Sequence, residues 1–165
     1  MSAELLFGKR LPPTPEGQFK AIRFVILFGG ASNQYTTIEE VRVFNEEGTK
    51  VSHSAGNVAT ASSVYPGYAV GGPVNGNYPT NNVLDMWCPQ LANSPNTNRS
   101  CWWKLTFAQP TDIDRIEMGA SQNYGRVPID MDIEVSEDGT NFVVLAELRN
   151  LVNWVQGIAR VLWTR

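Results

Sequence analysis

Three acidic side chains at alternate positions are the first residues of this chain that could do chemistry. Asp130, Asp132 and Glu134 are each separated by one residue, and alternate residues of a strand lie about 7 Å apart on one face. This spacing is compatible with the paired carboxylates of a glycosidase. A carboxylate needs a pocket to shift its pKa, and an open strand face offers none. We therefore expect these acids to form a solvated strand face.

A histidine-based active site is not expected either. His53 is the only histidine and lies in the polar segment VSHSAGN. No serine, cysteine or acid near it in sequence suggests a catalytic triad, and its neighbours in space cannot be identified from sequence. Two cysteines and one histidine are also too few for a four-ligand Cys/His zinc site. We expect a protein that is not an enzyme.

Aromatic residues in loops favour carbohydrate binding. The apolar face of a pyranose stacks on an aromatic ring while polar neighbours bond its hydroxyl groups. Loops on a rigid β frame commonly carry such residues. For each tyrosine, the alternative is a half-buried loop anchor with its hydroxyl in water. The candidates for carbohydrate binding are Tyr35, Tyr65, Tyr68, Tyr78, Arg99, Asn123, Tyr124 and Arg126.

The two cysteines allow two states. Cys88 and Cys101 bracket the loop PQLANSPNTNRS. A disulfide between them would close a short loop and add about 3 kcal/mol of stability. The alternative is a pair of small buried thiols in a reducing compartment.

The bulk composition sets the class of protein. A chain of 165 residues with 42% hydrophobic and 18% charged residues is expected to fold as one domain. Its net charge of -3 argues against a nucleic-acid partner. Neither a run of about 18 apolar residues nor a classical signal peptide is found, so we expect no membrane partner.

Residues 1–18 are predicted to form an extended N-terminal arm. Leu5, Leu6 and Phe7 make a small apolar cluster, and three prolines between residues 12 and 15 favour an extended path. A disordered tail is one interpretation. The other is an arm that docks on a neighbouring subunit, with the apolar cluster as its anchor.

From residue 19 onward, apolar residues alternate with polar ones in short runs. At most a turn or two of helix is predicted, in residues 147–155. Short strands separated by turn residues indicate a sandwich or a barrel. The predicted strands are 21–28, 38–44, 58–65, 101–107, 112–120, 129–135, 142–146 and 159–163.

The Asp138-Gly139 step is the strongest local hairpin signal. It lies between two runs with period-2 hydrophobic residues, and glycine accepts the positive φ that a tight turn needs. The surrounding SEDGTNF, residues 136–142, resembles a turn of the discoidin domains, also called coagulation factor V/VIII type C domains.

Three further segments resemble the same family, and the final segment NWVQGIARVLW resembles the closing strand of a permuted form of it, so that the match covers residues 19–165. Their order is permuted, with the family's usual C-terminal strand pair placed first. This order resembles discoidin-like domains in proteins of tailed bacteriophages. The segments are FKAIRFVILFGGASNQYTTIEEVRVFNEEG, NVATASSVYPGYAVGGPVNGNYPTNNVLDMW, SCWWKLTFAQPTDIDRIEM and NWVQGIARVLW.

The resemblance implies an all-β jelly-roll sandwich of the galactose-binding-like type, preceded by the arm. It also implies a structural calcium ion in a loop where the family has Asp-Gly-Asn and this chain has Asn75-Gly76-Asn77. Glu40 matches the family's strand glutamate, so the expected metal residues are Glu40, Asn75 and Asn77. An amide in place of the carboxylate brings no charge and lowers the expected affinity. No cofactor is required beyond this.

These features together predict a non-enzymatic module of a tailed phage particle, assembled in the host cytoplasm and displayed on the exterior of the head or tail. The arm would contact other virion proteins, and the loops would contact host-surface glycans during adsorption. A homo-oligomer is expected, whose copies would add avidity. The alternatives are a purely architectural decoration or connector protein without a glycan ligand, and a bacterial carbohydrate-binding module.

Overall fold

The structure of the protein is a computed structural model that describes residues 17–29, 36–89, 99–120 and 126–165. Several residues singled out in the sequence lie outside these ranges. They are Leu5, Leu6 and Phe7 of the predicted arm, and Tyr35, Asn123 and Tyr124 of the predicted binding loops.

The described chain is all-β, with eight strands in two antiparallel sheets, which confirms the predicted fold class at the level of a β-sandwich. One sheet has the order β3-β4-β1-β6-β7 and the other β2-β5-β8. None of the helical segments among the described residues is long or apolar enough to cross a membrane. The strands are β1 (Phe19–Gly29), β2 (Ile38–Phe44), β3 (Val58–Ala61), β4 (Trp102–Thr111), β5 (Arg115–Ala120), β6 (Pro128–Ser136), β7 (Val143–Leu148) and β8 (Ala159–Thr164).

Alternation along the central strand β1 builds the core. Ile22, Phe24 and Ile26 are buried, as expected for one face of a strand that packs against a second sheet. The ring of Phe24 lies 6.0 Å from the ring of Trp103 on the neighbouring β4. Phe28, predicted on the same apolar face, is only half-buried because the pairing with β6 changes register beside it.

Three predicted boundaries were wrong for identifiable reasons. The strand predicted over 58–65 ends at Ala61, and the chain then leaves the sheet to bond with Cys88. Strand β4 was predicted to end at residue 107 but continues through Pro110 to Thr111, because a register shift in its pairing with β1 accommodates a residue without an N–H. Residues 149–155 contain no helix, and Asn150 and Asn153 have the left-handed φ values of 54° and 62°.

The predicted Asp-Gly hairpin joins β6 to β7, in a wider turn than a two-residue loop. Gly139 has a φ of +83°. The Oδ1 atom of Asp138 accepts hydrogen bonds from the hydroxyl of Ser136 at 2.9 Å and from the N–H groups of Thr140 and Asn141 at 2.8 and 2.7 Å. These donors, led by the N–H of Asn141, hold the pKa of Asp138 well below its ordinary value of 3.8.

The hairpin makes a testable contribution to the pH dependence of stability. An acid whose pKa is depressed in the folded state stabilises the protein above its unfolded pKa, and this stabilisation is lost as the pH falls. Asp138→Ala is therefore expected to lower the free energy of unfolding at neutral pH, and the difference from the wild type should shrink between about pH 5 and pH 2. Denaturant unfolding of both proteins at each pH measures it. Glu137→Ala removes an equal charge from the same turn as a control, and a pH-independent difference for Asp138→Ala would contradict the assignment.

Candidate functional site

Three of the predicted carbohydrate-binding residues lie together at one end of the sandwich. The rings of Tyr65 and Tyr68 meet edge to face, with centroids 5.9 Å apart. The Nη1 atom of Arg126 donates to the hydroxyl of Tyr68 at 3.4 Å. All three residues are half-buried. We refer to Tyr65, Tyr68 and Arg126 as the tyrosine–arginine cluster.

Backbone hydrogen bonds position this cluster on the frame. The N–H of Tyr65 donates to the carbonyl of Cys88 at 2.7 Å, and the N–H of Tyr68 donates to the carbonyl of Tyr65 at 3.0 Å. The carbonyl of Arg126 accepts from the N–H of Thr37 at 2.5 Å, directly before β2. The cluster therefore lies where β2 and β6 begin, and it presents two rings beside a guanidinium group.

Tyr78 was predicted in the same group but packs elsewhere, over strand β5. A Cβ atom added to Gly119 would lie 2.5 Å from the Cε2 atom of Tyr78, so only glycine leaves room for this ring. The guanidinium of Arg42 lies 5.5 Å from the ring centroid on another side. Tyr78 is thus a packed residue and is not part of the tyrosine–arginine cluster.

Arg99, another residue predicted to bind carbohydrate, forms ion pairs in a charged network on the outward face of the five-stranded sheet. Its Nη1 atom lies 2.5 Å from Asp132 Oδ2, and its Nη2 atom pairs with Glu134 Oε1. Arg23 contacts Glu134 at 2.6 Å, and Arg149 contacts Asp132 at 2.7 Å. The hydrogen bond to Asp132 is the main factor that raises the pKa of Arg99. We call these five residues the arginine–carboxylate network.

The network corrects the prediction of a solvated acidic face, which was wrong for two of the three acids. Asp132 and Glu134 are only 2% and 5% exposed, because guanidinium groups cover them. Since both carboxylates are paired with arginines, neither is free to face a glycosidic bond. Asp130 is half-buried and accepts a hydrogen bond from the N–H of Asn150 at 2.7 Å.

The only histidine belongs to a polar series that sequence reasoning missed. The Nδ1 atom of His53 lies 2.9 Å from the hydroxyl oxygen of Ser52, and its Nε2 atom lies 3.2 Å from Glu40 Oε1. Ser52 is 1% exposed, and its oxygen accepts the N–H of Val43 at 3.1 Å. A hydroxyl that is buried and already bonded cannot reach a substrate, so the series holds the structure together.

The side chains of the predicted metal loop donate hydrogen bonds to the carboxylate of Asp85. The amide nitrogens of Asn75 and Asn77 donate to Asp85 Oδ1 at 2.6 and 2.9 Å, and the hydroxyl of Thr80 donates to Oδ2 at 3.0 Å. These bonds, led by that from Asn77, hold the pKa of Asp85 below its ordinary value. The family pattern gave no reason to select Asp85, which supplies the carboxylate that Asn75 lacks.

Glu39 faces this loop. Its Oε1 atom accepts the N–H of Thr80 at 3.0 Å, whereas the carboxylate of Glu40, the predicted ligand, contacts Arg42 and His53. The Oε2 atom of Glu39 is buried and has no hydrogen-bond partner among the described residues. Burial raises the pKa of Glu39.

An unpartnered, buried carboxylate oxygen is a group that a bound cation would satisfy, and oxygen donors suit calcium. Glu39 is the carboxylate of this corner with an oxygen left for a cation, because three donors already bond to Asp85 and Glu40 contacts Arg42 and His53. Within the described ranges, no group of three or more His, Cys, Asp or Glu side chains is placed to hold a metal.

Cys88 and Cys101 are free thiols, and both are buried. Burial raises the pKa of each to about 12. Because the thiolate is the reactive form, both cysteines are inert at neutral pH in this structure.

Comparison with known proteins returned no matching family model, no matching curated protein and no matching solved structure. The class that the structure defines is an all-β protein of two antiparallel sheets. The resemblance to discoidin domains remains a prediction from the motifs.

Proposed function

We propose that the protein is a non-enzymatic binding module that takes a saccharide at the tyrosine–arginine cluster. The observation that carries the proposal is the juxtaposition of Tyr65, Tyr68 and Arg126. All three were selected from the sequence for sugar-binding chemistry, and Arg126 is distant from the tyrosines in the chain.

The chemistry of the cluster suits a saccharide. Tyrosine rings offer apolar faces to the C–H side of a pyranose, and their hydroxyl groups both donate and accept hydrogen bonds. The guanidinium of Arg126 is a donor only, so it complements hydroxyl, carbonyl or carboxylate oxygens of a sugar. A site with few polar contacts binds weakly, and several copies on one particle would strengthen attachment through avidity.

The wider proposal is a discoidin-like jelly-roll domain on the exterior of a tailed phage particle, where it contacts host-surface glycans. The motifs in residues 19–165 support this proposal, and two antiparallel sheets agree with the fold it requires. Residues 1–18 serve as the docking arm to other virion proteins, and the protein acts as a homo-oligomer. A calcium ion bound at Glu39 would neutralise the buried negative charge of that side chain and rigidify the loop that Thr80 joins to it.

A purely architectural role is the second candidate, and one surface feature favours it. Exposed apolar side chains follow one another on the segment before β8 and at its start, which is typical of a protein–protein contact. They are Val152, Val155, Ile158 and Val161.

Binding of the purified protein to a panel of bacterial surface polysaccharides separates the two functions. We expect saturable binding to a subset, weakened about tenfold or more by Tyr68→Ala because an aromatic contact is lost. Tyr78→Phe, away from the cluster, should bind like the wild type. Chelation of calcium should lower the melting temperature of the wild type, and Glu39→Gln should reduce that effect. No binding at high multivalent display, or equal binding by Tyr68→Ala, would contradict a glycan site at the cluster.

A further inference from the structure

A groove of about 350 Å³ opens where the edge strands β7 and β8 face each other. Strand β7 ends the five-stranded sheet and β8 ends the three-stranded one, so each has a row of backbone groups that no strand of the described chain pairs. Such edges are open to an added segment. The groove is lined by the apolar side chains of Leu148, Leu151, Val161 and Leu162, with Glu147 and Arg160 among its charged residues.

Further exposed apolar side chains lie on the chain just before β8 and within it. Val152 and Val155 are 49% and 52% exposed, and Ile158 and Val161 are 61% and 51% exposed. They fall within ten consecutive residues of the chain. Soluble monomers seldom leave a contiguous apolar patch uncovered unless it binds something.

We propose that the N-terminal segment Leu5–Phe7 of a neighbouring copy of this chain occupies the groove. The inference rests on the proposed function, because it names the surface to which the docking arm binds. The segment Glu4-Leu5-Leu6-Phe7 is followed by Lys9 and Arg10, so it combines an apolar centre with charges of both signs. Those charges complement Arg160 and Glu147 of the groove.

The length of chain outside the described residues makes the contact reachable. The described part begins at Gly17, where an added Cβ would lie 3.3 Å from Glu137, so the arm leaves at the end of the sandwich where β6 ends. The ten residues from Phe7 to Gly17 span at most about 33 Å. The six residues of β8 are about 20 Å long, which is less than the maximum span of the arm. The arm can therefore reach the groove of an adjoining copy packed alongside.

The composition of the spacer favours a neighbour over the same copy. Pro12, Pro13 and Pro15 are of a composition that favours a semi-rigid, extended spacer, and such a spacer would carry the apolar cluster away from the surface that it leaves. Contact between the arm of one copy and the groove of the next is heterologous. Repetition of such a contact produces a ring or a filament.

Sedimentation equilibrium of the full chain tests the contact. The wild type is expected to associate, and both Phe7→Asp and Val161→Asp should raise the dissociation constant about thirtyfold or more, because each places a charge in the proposed apolar contact. A truncation that removes residues 1–10 keeps every residue of the eight strands and should give monomers. Val58→Asp, at an equally exposed valine (56%) on the opposite edge strand β3, should associate like the wild type.

Cross-linking identifies the copy that supplies the arm. Oxidation of a mixture of Phe7→Cys and Val161→Cys chains should give a disulfide-linked dimer that contains one chain of each kind. A wild-type monomer, unchanged association of the truncated chain, or a mixture that yields no dimer containing one chain of each kind would overturn the proposal. Polysaccharide binding by the truncated chain is the separate readout of the proposed function. Its retention with association lost is the expected result. Absence of polysaccharide binding by both the wild type and the truncated chain, with association lost only in the truncated chain, would count against the glycan site alone.

Discussion

Replacement of Gly72 by alanine is expected to cost at least about 3 kcal/mol of stability. A Cβ atom at this position would lie 2.6 Å from the carbonyl carbon of Asp85 and 2.8 Å from the Cα of Met86, and would also overlap the N atom of Met86. These are backbone atoms, which cannot move aside as the end of a side chain can. The substitution would push apart the two segments that bring Asn75 and Asp85 together.

The neighbouring glycine provides a matched control. Gly71 has an ordinary φ of −82°, and nothing lies within 4 Å of a Cβ added there. Gly71→Ala should therefore leave the free energy of unfolding unchanged within about 0.5 kcal/mol or raise it slightly. Denaturant unfolding of both variants measures the difference. Equal stabilities would show that the contact between residue 72 and the Asp85–Met86 backbone is looser than described.

Replacement of Asp132 by alanine is the second large effect that we expect. It removes the shared partner of Arg99 and Arg149 and leaves two guanidinium groups around a position that is 2% exposed. Loss of one partner from a fully buried ion pair costs about 3–5 kcal/mol. Because the two arginine side chains are 42% and 43% exposed, water compensates in part, and we expect a loss of about 2–3 kcal/mol.

Glu147→Ala is the control for this prediction. Glu147 on β7 is the cross-strand neighbour of Asp132 on β6. Its carboxylate lies 3.9 Å from the guanidinium of Arg149, but its side chain is 54% exposed. Its removal should cost less than about 1 kcal/mol. Unfolding in denaturant at neutral pH compares the two variants. If Asp132→Ala were no more destabilising than Glu147→Ala, the network would be a solvent-exposed set of charges, as the sequence first indicated.

The strands could be predicted from the sequence because their signal is local. Ile22, Phe24 and Ile26 alternate with residues of the other face, and this period of two is the geometry of a strand. The same local reasoning failed at Pro110, where a distant register shift lets a strand continue. The same reasoning also failed to predict where β3 ends. The chain leaves the sheet after Ala61 and bonds to Cys88 through the N–H of Tyr65, and no turn residue in the local sequence marks that point.

The residues of the candidate site could be selected by their chemistry, and their arrangement could be predicted only in part. The tyrosines and the arginine were selected because they are suitable residue types in loops, and nothing in the sequence shows that Tyr78 packs apart from Tyr65, Tyr68 and Arg126. The arginine–carboxylate network was missed because its arginines come from β1, from the chain before β4 and from the chain after β7. An acidic strand face looks the same in sequence whether distant guanidinium groups cover it or water does.

The burial of both thiols has a practical consequence for experiments on this protein. With pKa values of about 12, Cys88 and Cys101 are almost wholly protonated under the conditions used for maleimide or spin-label chemistry, and their burial keeps such reagents out. The two native cysteines are therefore not expected to react with these reagents in the folded protein. A dye or spin label attached to one introduced surface cysteine reports from that position alone, without prior removal of the native cysteines.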